Sequence, residues 1–189
     1  MAIQLDLLHP VTDEELMRLS ERNPGYQFER TADGRLVVSP TGGESGRRSA
    51  EVAHQLRQWS QRSRTGVVFD SSTGFLLPDG SVLSPDASWM RRERWEALSE
   101  DEREGFVPVC PDAVFEIRSR TQRLQELREK MRAYLRNGAR VAVLVDPYTA
   151  SVEVYRPGRE PEVYRDAQRV RLDPELPGFE LDLAPVFGE

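Results

Sequence analysis

Cysteine is nearly missing from this 189-residue chain: Cys110 stands alone, so no disulfide can close within it. Histidine is almost as scarce, and His9 and His54 together with that one thiol cannot make a zinc-ligand spacing. No run of about eighteen apolar residues occurs, which excludes a membrane-spanning helix. The opening residues, MAIQLDLLHPVTDEEL, have neither the basic stretch nor the apolar segment of a signal peptide, so a cytoplasmic location is expected. Basic residues are outnumbered, 26 to 32, and the net charge of −6 argues against a protein that coats nucleic acid by counting cations against phosphates. A local basic groove stays compatible with that total. Lysine is the scarcest charged residue: 25 of the basic residues are arginine and one, Lys130, is lysine.

With 38% hydrophobic and 31% charged residues, the chain is expected to form one domain over residues 1–189. Its expected parts are an N-terminal helix and hairpin at 12–40, a core at 44–156, and C-terminal strands and tail at 157–189. Thr12 with Glu15 reads as a capping box opening a helix over 13–22, which Asn23-Pro24-Gly25 ends. Two strands, 26–30 and 36–39, flank the turn-forming Ala32-Asp33-Gly34, and a second turn follows at Pro40-Thr41-Gly42-Gly43. From 44 to 61, Val52, Leu56 and Trp59 share one helical face while His54 projects away from it toward solvent.

Strands are expected at 67–70, 73–77 and 82–90, with short charged helices at 91–99 and 100–104 and a strand at 112–119. A helix at 122–137 carries an apolar stripe of Leu124, Leu127, Met131, Tyr134 and Leu135 and stops at Asn137-Gly138. The apolar run 141–145 reads as a covered strand, making a parallel crossover with 112–119, and 151–156 alternates as an antiparallel partner. The class is therefore α/β, a mixed central β-sheet flanked by helices.

Alternation along 112–119 puts Ala113, Phe115 and Ile117 on one face and Val114, Glu116 and Arg118 on the other. Charged residues in a central strand need a partner or an ion. Pro85-Asp86 and Pro111-Asp112 both precede Glu116. Asp112 lies four residues away on the same strand, roughly 13 Å, too far to share a magnesium ion with it. Asp86 lies on a separate strand segment with Ser84 and Ser88 on its face, and adjacent strands are about 4.8 Å apart, so it is the better partner. Two such carboxylates repel without a cation, and their hard oxygens favour magnesium or manganese. Lys130 borders the apolar stripe of its helix, where its stem can lie on the sheet while the ammonium reaches a polar pocket. The plainer alternatives are a structural ion pair at Glu116 and an i,i+4 pair of Lys130 with Glu126 on a solvated face.

Ser84-Pro85-Asp86, then Pro111-Asp112 leading into Phe115-Glu116-Ile117-Arg118-Ser119, then Glu129-Lys130-Met131 on a helix, resemble the PD-(D/E)xK nuclease superfamily. The chain resembles more closely the bacterial Uma-type endonuclease family, through Pro40-Thr41-Gly42-Gly43-Glu44-Ser45-Gly46, the stretch from Phe69 to Phe75, and Val145-Asp146-Pro147 with Val152-Glu153-Val154-Tyr155. The resemblance implies a restriction-endonuclease-like core in which Asp86 and Glu116, with the Ile117 carbonyl, hold Mg2+ (or Mn2+). Glu29 matches an N-terminal acidic position and adds a carboxylate; Glu44 is a weaker candidate. The position two after the glutamate is Arg118 where the superfamily has lysine. Arginine is a poor proton acceptor, so Arg118 is expected to clamp a phosphate and Lys130 to stand in for the displaced lysine.

The expected activity is metal-dependent hydrolysis of phosphodiester bonds in DNA, with RNA as a second substrate, by a homo-oligomer, a dimer by analogy with nucleases that cut both strands. Arg47-Arg48, Arg91-Arg92-Arg94 and Arg118-Arg120-Arg123 are expected to line its groove. A non-catalytic binding module on the same fold is the alternative, and Arg118 is the residue that favours it.

Overall fold

The computed structural model describes residues 3–40 and 42–188. Thr41, within the expected turn at 40–43, lies outside them. The edge strand β1 (Ile3–Leu5) leads to α1 (Asp13–Arg22), where Thr12 and Glu15 form the reciprocal capping box their spacing predicts. The hairpin β2 (Tyr26–Arg30) and β3 (Leu36–Pro40) follows, then α2 (Gly43–Ser63), β4 (Gly66–Asp70), β5 (Phe75–Leu76), β6 (Val82–Leu83) and β7 (Ala87–Arg91). Two short helices, α3 (Arg92–Glu96) and α4 (Glu100–Glu104), precede β8 (Ala113–Ile117), α5 (Leu124–Arg136) and β9 (Val141–Asp146). The chain closes with β10 (Ser151–Tyr155), β11 (Glu162–Arg165), β12 (Arg169–Arg171), β13 (Glu180–Asp182) and α6 (Ala184–Phe187).

The core is a six-stranded mixed sheet ordered β11-β10-β9-β8-β7-β4. β8 and β9 are parallel, joined through α5, and every other neighbouring pair is antiparallel. Strand alternation then sorts the packing. Ala87, Trp89, Ala113, Phe115 and Ile117 face Val52, Leu56 and Trp59 of α2. Met90, Val114, Ala142 and Leu144 face Leu127, Met131 and Tyr134 of α5. His54 is exposed, on the far side of α2. No helix among the described residues is long and apolar enough to cross a membrane.

A second sheet, ordered β1-β3-β2-β6-β5, lies beside this core, and a two-stranded β12-β13 ribbon supports α2 from the C-terminal end. The second sheet corrects the expectation of one strand over 82–90. β6 pairs with β2 and β5, while β7 pairs with β4 and β8. The chain changes sheets at Ser84-Pro85-Asp86, because Pro85 has no N–H for a ladder and the Ser84 N–H donates to Glu29 Oε1 at 2.7 Å instead of to a strand.

Candidate active site

The sheet-changing segment decides where Asp86 sits. It precedes β7 by one residue, and the antiparallel pairing of Ala87 with Phe115 continues so that Asp86 stands beside Glu116. Its carboxylate is fixed from two sides: the Ile117 N–H donates to Oδ2 at 2.7 Å, and the Ser49 hydroxyl of α2 donates to Oδ1 at 2.8 Å. Glu116 is 3% exposed and points to the α5 side of the sheet. There its Oε1 accepts from the Tyr134 hydroxyl at 3.1 Å and pairs with Lys130 Nζ at 2.7 Å. The same ammonium is 2.8 Å from Glu29 Oε1, the atom that also holds Ser84. Lys130 and Tyr134 are four residues apart on one helix, the spacing that brings both side chains to one spot. Lys130 pairs with the buried Glu116 and the half-buried Glu29 and not with Glu126.

Two carboxylates thus share one ammonium, and its charge also acts on Asp86. Burial, reinforced by the Asp86 and Glu29 charges and opposed by Lys130, pushes the Glu116 carboxyl up to about 8. Burial likewise raises Asp86, against the hydrogen bonds from Ile117 and Ser49. At Lys130 burial works against the charged form, but the Glu116 and Glu29 carboxylates outweigh it and hold the ammonium above the ordinary lysine range. Burial and the Glu116 charge raise the Tyr134 phenol well above its usual value, so it stays a donor.

Among the described residues, no three His, Cys, Asp or Glu side chains converge as an ion site. Asp86 and Glu116 are the two that fit a divalent cation. Both are hard oxygen donors, Glu116 on β8 and Asp86 just before the neighbouring β7, and Glu116 Oε2 has no hydrogen-bond donor among the described residues. The excess negative charge around Lys130 is of the sign a cation neutralises. Magnesium suits such a pair, since it commonly takes one or two carboxylates and completes its shell with water and substrate phosphate. Glu29 is placed as the lysine's second anchor, and Glu44 is exposed and held by Arg47 and Arg48, away from these acids.

Arg118 departs from its expected place beside Glu116. β8 ends at Ile117, so strand alternation no longer directs the next side chain, and the Arg118 guanidinium pairs with Asp146 at 2.8 Å. The expected single groove of arginines also separates. Arg91 and Arg94 bind Asp112 at 3.0 Å each, at the end of β8 opposite Arg118, roughly 16 Å away along a five-residue strand. Asp112 is therefore a structural partner of arginines. Ser49 and Tyr134 are site residues that pattern reasoning missed; Tyr134 was readable as the i+4 neighbour of Lys130, whereas nothing local marks Ser49.

A cleft of about 730 Å³ opens between the β2–β3 hairpin and α5, with Glu29 and Lys130 on its wall beside Arg35 and Arg123. Two carboxylates at adjacent strand ends and a lysine from the following helix are the arrangement that the resemblance to nucleases implies. The chain belongs to the Uma2 family, described as "Putative restriction endonuclease", which matches residues 13–184. Its fold is shared by a solved structure titled as a putative nuclease belonging to DUF820 from Anabaena variabilis ATCC 29413. The two are 22% identical with a TM-score of 0.75, over 94% of this chain and 98% of that one. No curated protein matches the chain.

Proposed function

We propose that the protein is a divalent-metal-dependent endonuclease hydrolysing phosphodiester bonds in DNA, with Asp86 and Glu116 as the metal ligands and Lys130 as the catalytic cation. The observation that carries this reading is the placement of Lys130 between Glu116 and Glu29, beside Asp86. A lysine from α5 thereby supplies the charge that Arg118 does not. Magnesium or manganese, when bound, supplies a more acidic water and a positive charge for the developing phosphorane.

The chain's own groups set the stage for that chemistry. Ser49 and the Ile117 N–H fix Asp86 in one orientation, and Tyr134 and Lys130 fix Glu116, so both ligands are held before substrate arrives. The Lys130 ammonium meets two carboxylates among the described residues, and its remaining donor capacity serves to orient the attacking water or a phosphate oxygen. Cutting both strands of a duplex needs two such sites, which favours a homodimer.

Incubation of supercoiled plasmid with purified protein and Mg2+ or Mn2+ tests the reading. Nicking that EDTA abolishes and that is lost in Asp86→Asn and Glu116→Gln supports it. Metal binding with no cleavage of DNA or RNA by the folded wild-type protein refutes it and leaves a binding module.

A further inference from the structure

Two neighbouring residue pairs each reach in two directions. Ser49 and Ile117 hold Asp86, while the residues next to them, Arg48 and Arg118, both turn to Tyr148. The guanidinium carbons of Arg48 and Arg118 lie 5.6 and 5.9 Å from the centre of that ring. Tyr148 itself is 45% exposed, just beyond β9, whose C-terminal end lies beside that of β8. An aromatic ring carrying two cations is therefore built onto the same strand ends as the carboxylates.

The two guanidiniums are rigid. Arg48 Nε donates to the Val186 carbonyl at 3.1 Å, and Arg118 Nε donates to the Gln122 carbonyl at 3.2 Å. Arg48 also reaches the Tyr148 hydroxyl at 3.5 Å and Glu44 at 3.2 Å, and Arg118 pairs with Asp146. Glu44 is shared with Arg47, so three arginines face two acids. Arg118 keeps its Nη2 donors without a partner among the described residues. The Arg118 fork, fixed at one end and with free donors at the other, matches phosphate oxygens, and the buried Arg48, engaged at all three nitrogens, adds a fixed positive charge behind the Tyr148 ring.

We propose that Arg48, Tyr148 and Arg118 form a substrate subsite that grips a backbone phosphate next to the one cleaved. This rests on the nuclease reading above. Arg118 and Arg48 are then positioning residues: they set the strand's register over Asp86 and Glu116 without touching the reacting phosphorus. Tyr148 holds the two like charges together through its π face.

The test is fluorescence anisotropy of a labelled single-stranded 12-mer of DNA, and of RNA, against the full-length Asp86→Asn protein across a salt series. Adding Arg118→Gln or Tyr148→Ala is expected to weaken binding about tenfold, and each lost phosphate contact to lower the log–log salt slope by about 0.7. Arg159→Gln, in the β10–β11 turn, is expected to change neither. Arg48→Lys guards against misfolding at a buried site: it keeps the charge, loses the fork, and is expected to bind like Arg118→Gln. Wild-type affinity and slope in all three variants, with unchanged thermal melts, overturn the proposal, as does absence of oligonucleotide binding. Cleavage assays on the Asp86-containing protein separate the two readings. Variant-sensitive binding without metal-dependent cutting sinks the nuclease and keeps the subsite. Metal-dependent cutting that Arg118→Gln leaves at wild-type KM keeps the nuclease and sinks the subsite.

Discussion

Lys130 is the residue on which the site's charge balance turns. Replacing it with methionine leaves Glu116 and Glu29 facing each other without their cation, and stranding part of a buried ion pair costs about 3 kcal/mol or more. Lys130→Met should therefore lower the urea midpoint and reduce plasmid nicking at least ~100-fold, the scale of losing one charge stabiliser; unchanged nicking would contradict its catalytic role. Glu116 gives a pH signature. Its folded value of about 8 lies above the ordinary 4.5, so the folded chain holds a proton that the unfolded chain releases between those values. The stability from that protonated carboxyl is complete below about 4.5 and lost as pH rises through 8. In EDTA, the melting temperature of wild type should fall from pH 6 to 9 more steeply than that of Glu116→Gln. Magnesium prefers the carboxylate, so its affinity should rise over the same range, with proton uptake by the buffer detectable in calorimetry.

At the scale of single elements, β4 and β7 approach so closely that only glycine fits at position 66. A Cβ there meets the Met90 carbonyl and the Trp89 indole nitrogen at 2.3 Å each. Backbone and a buried ring cannot both give way, so Gly66→Ala should cost about 1–3 kcal/mol, read as a lower thermal midpoint. On α5, Tyr134→Phe removes one donor from Glu116 Oε1 but keeps the Lys130 pair. Its expected loss is about 1 kcal/mol, with metal affinity reduced less than by Glu116→Gln. Local chemistry made most elements legible: Thr12 and Glu15 mark the start of α1, and alternation in β8 correctly separates Glu116 from Phe115. It failed at 82–90, where residues 82–83 and 87–91 look like one strand and belong to two sheets. What divides them is Pro85, which cannot donate to a ladder, together with the Glu29 carboxylate, 55 residues from Ser84 in sequence.

For the molecule as a whole, Glu29 is the tie between the N-terminal sheet and the six-stranded core, through Ser84 on one side and Lys130 on the other. Glu29→Ala should speed amide hydrogen exchange across residues 26–40 and 82–83 while leaving β8 and β9 protected. Equal acceleration in β8 and β9 would show that the two sheets open together and that Glu29 is no separate hinge.

The amino-acid sequence by itself determined the α/β class, the parallel β8–α5–β9 unit, the face of Glu116 and the singling out of Lys130, because periodicity and residue type act within a few positions of the chain. Only the tertiary structure decided that Lys130 turns to Glu116 and Glu29, that Tyr134 and Ser49 complete the site, and that Arg118 leaves it for Asp146 and Tyr148. Those choices depend on which buried charges meet across strands and sheets. Burial makes an unmatched charge expensive, so distant partners override what any local pattern prescribes.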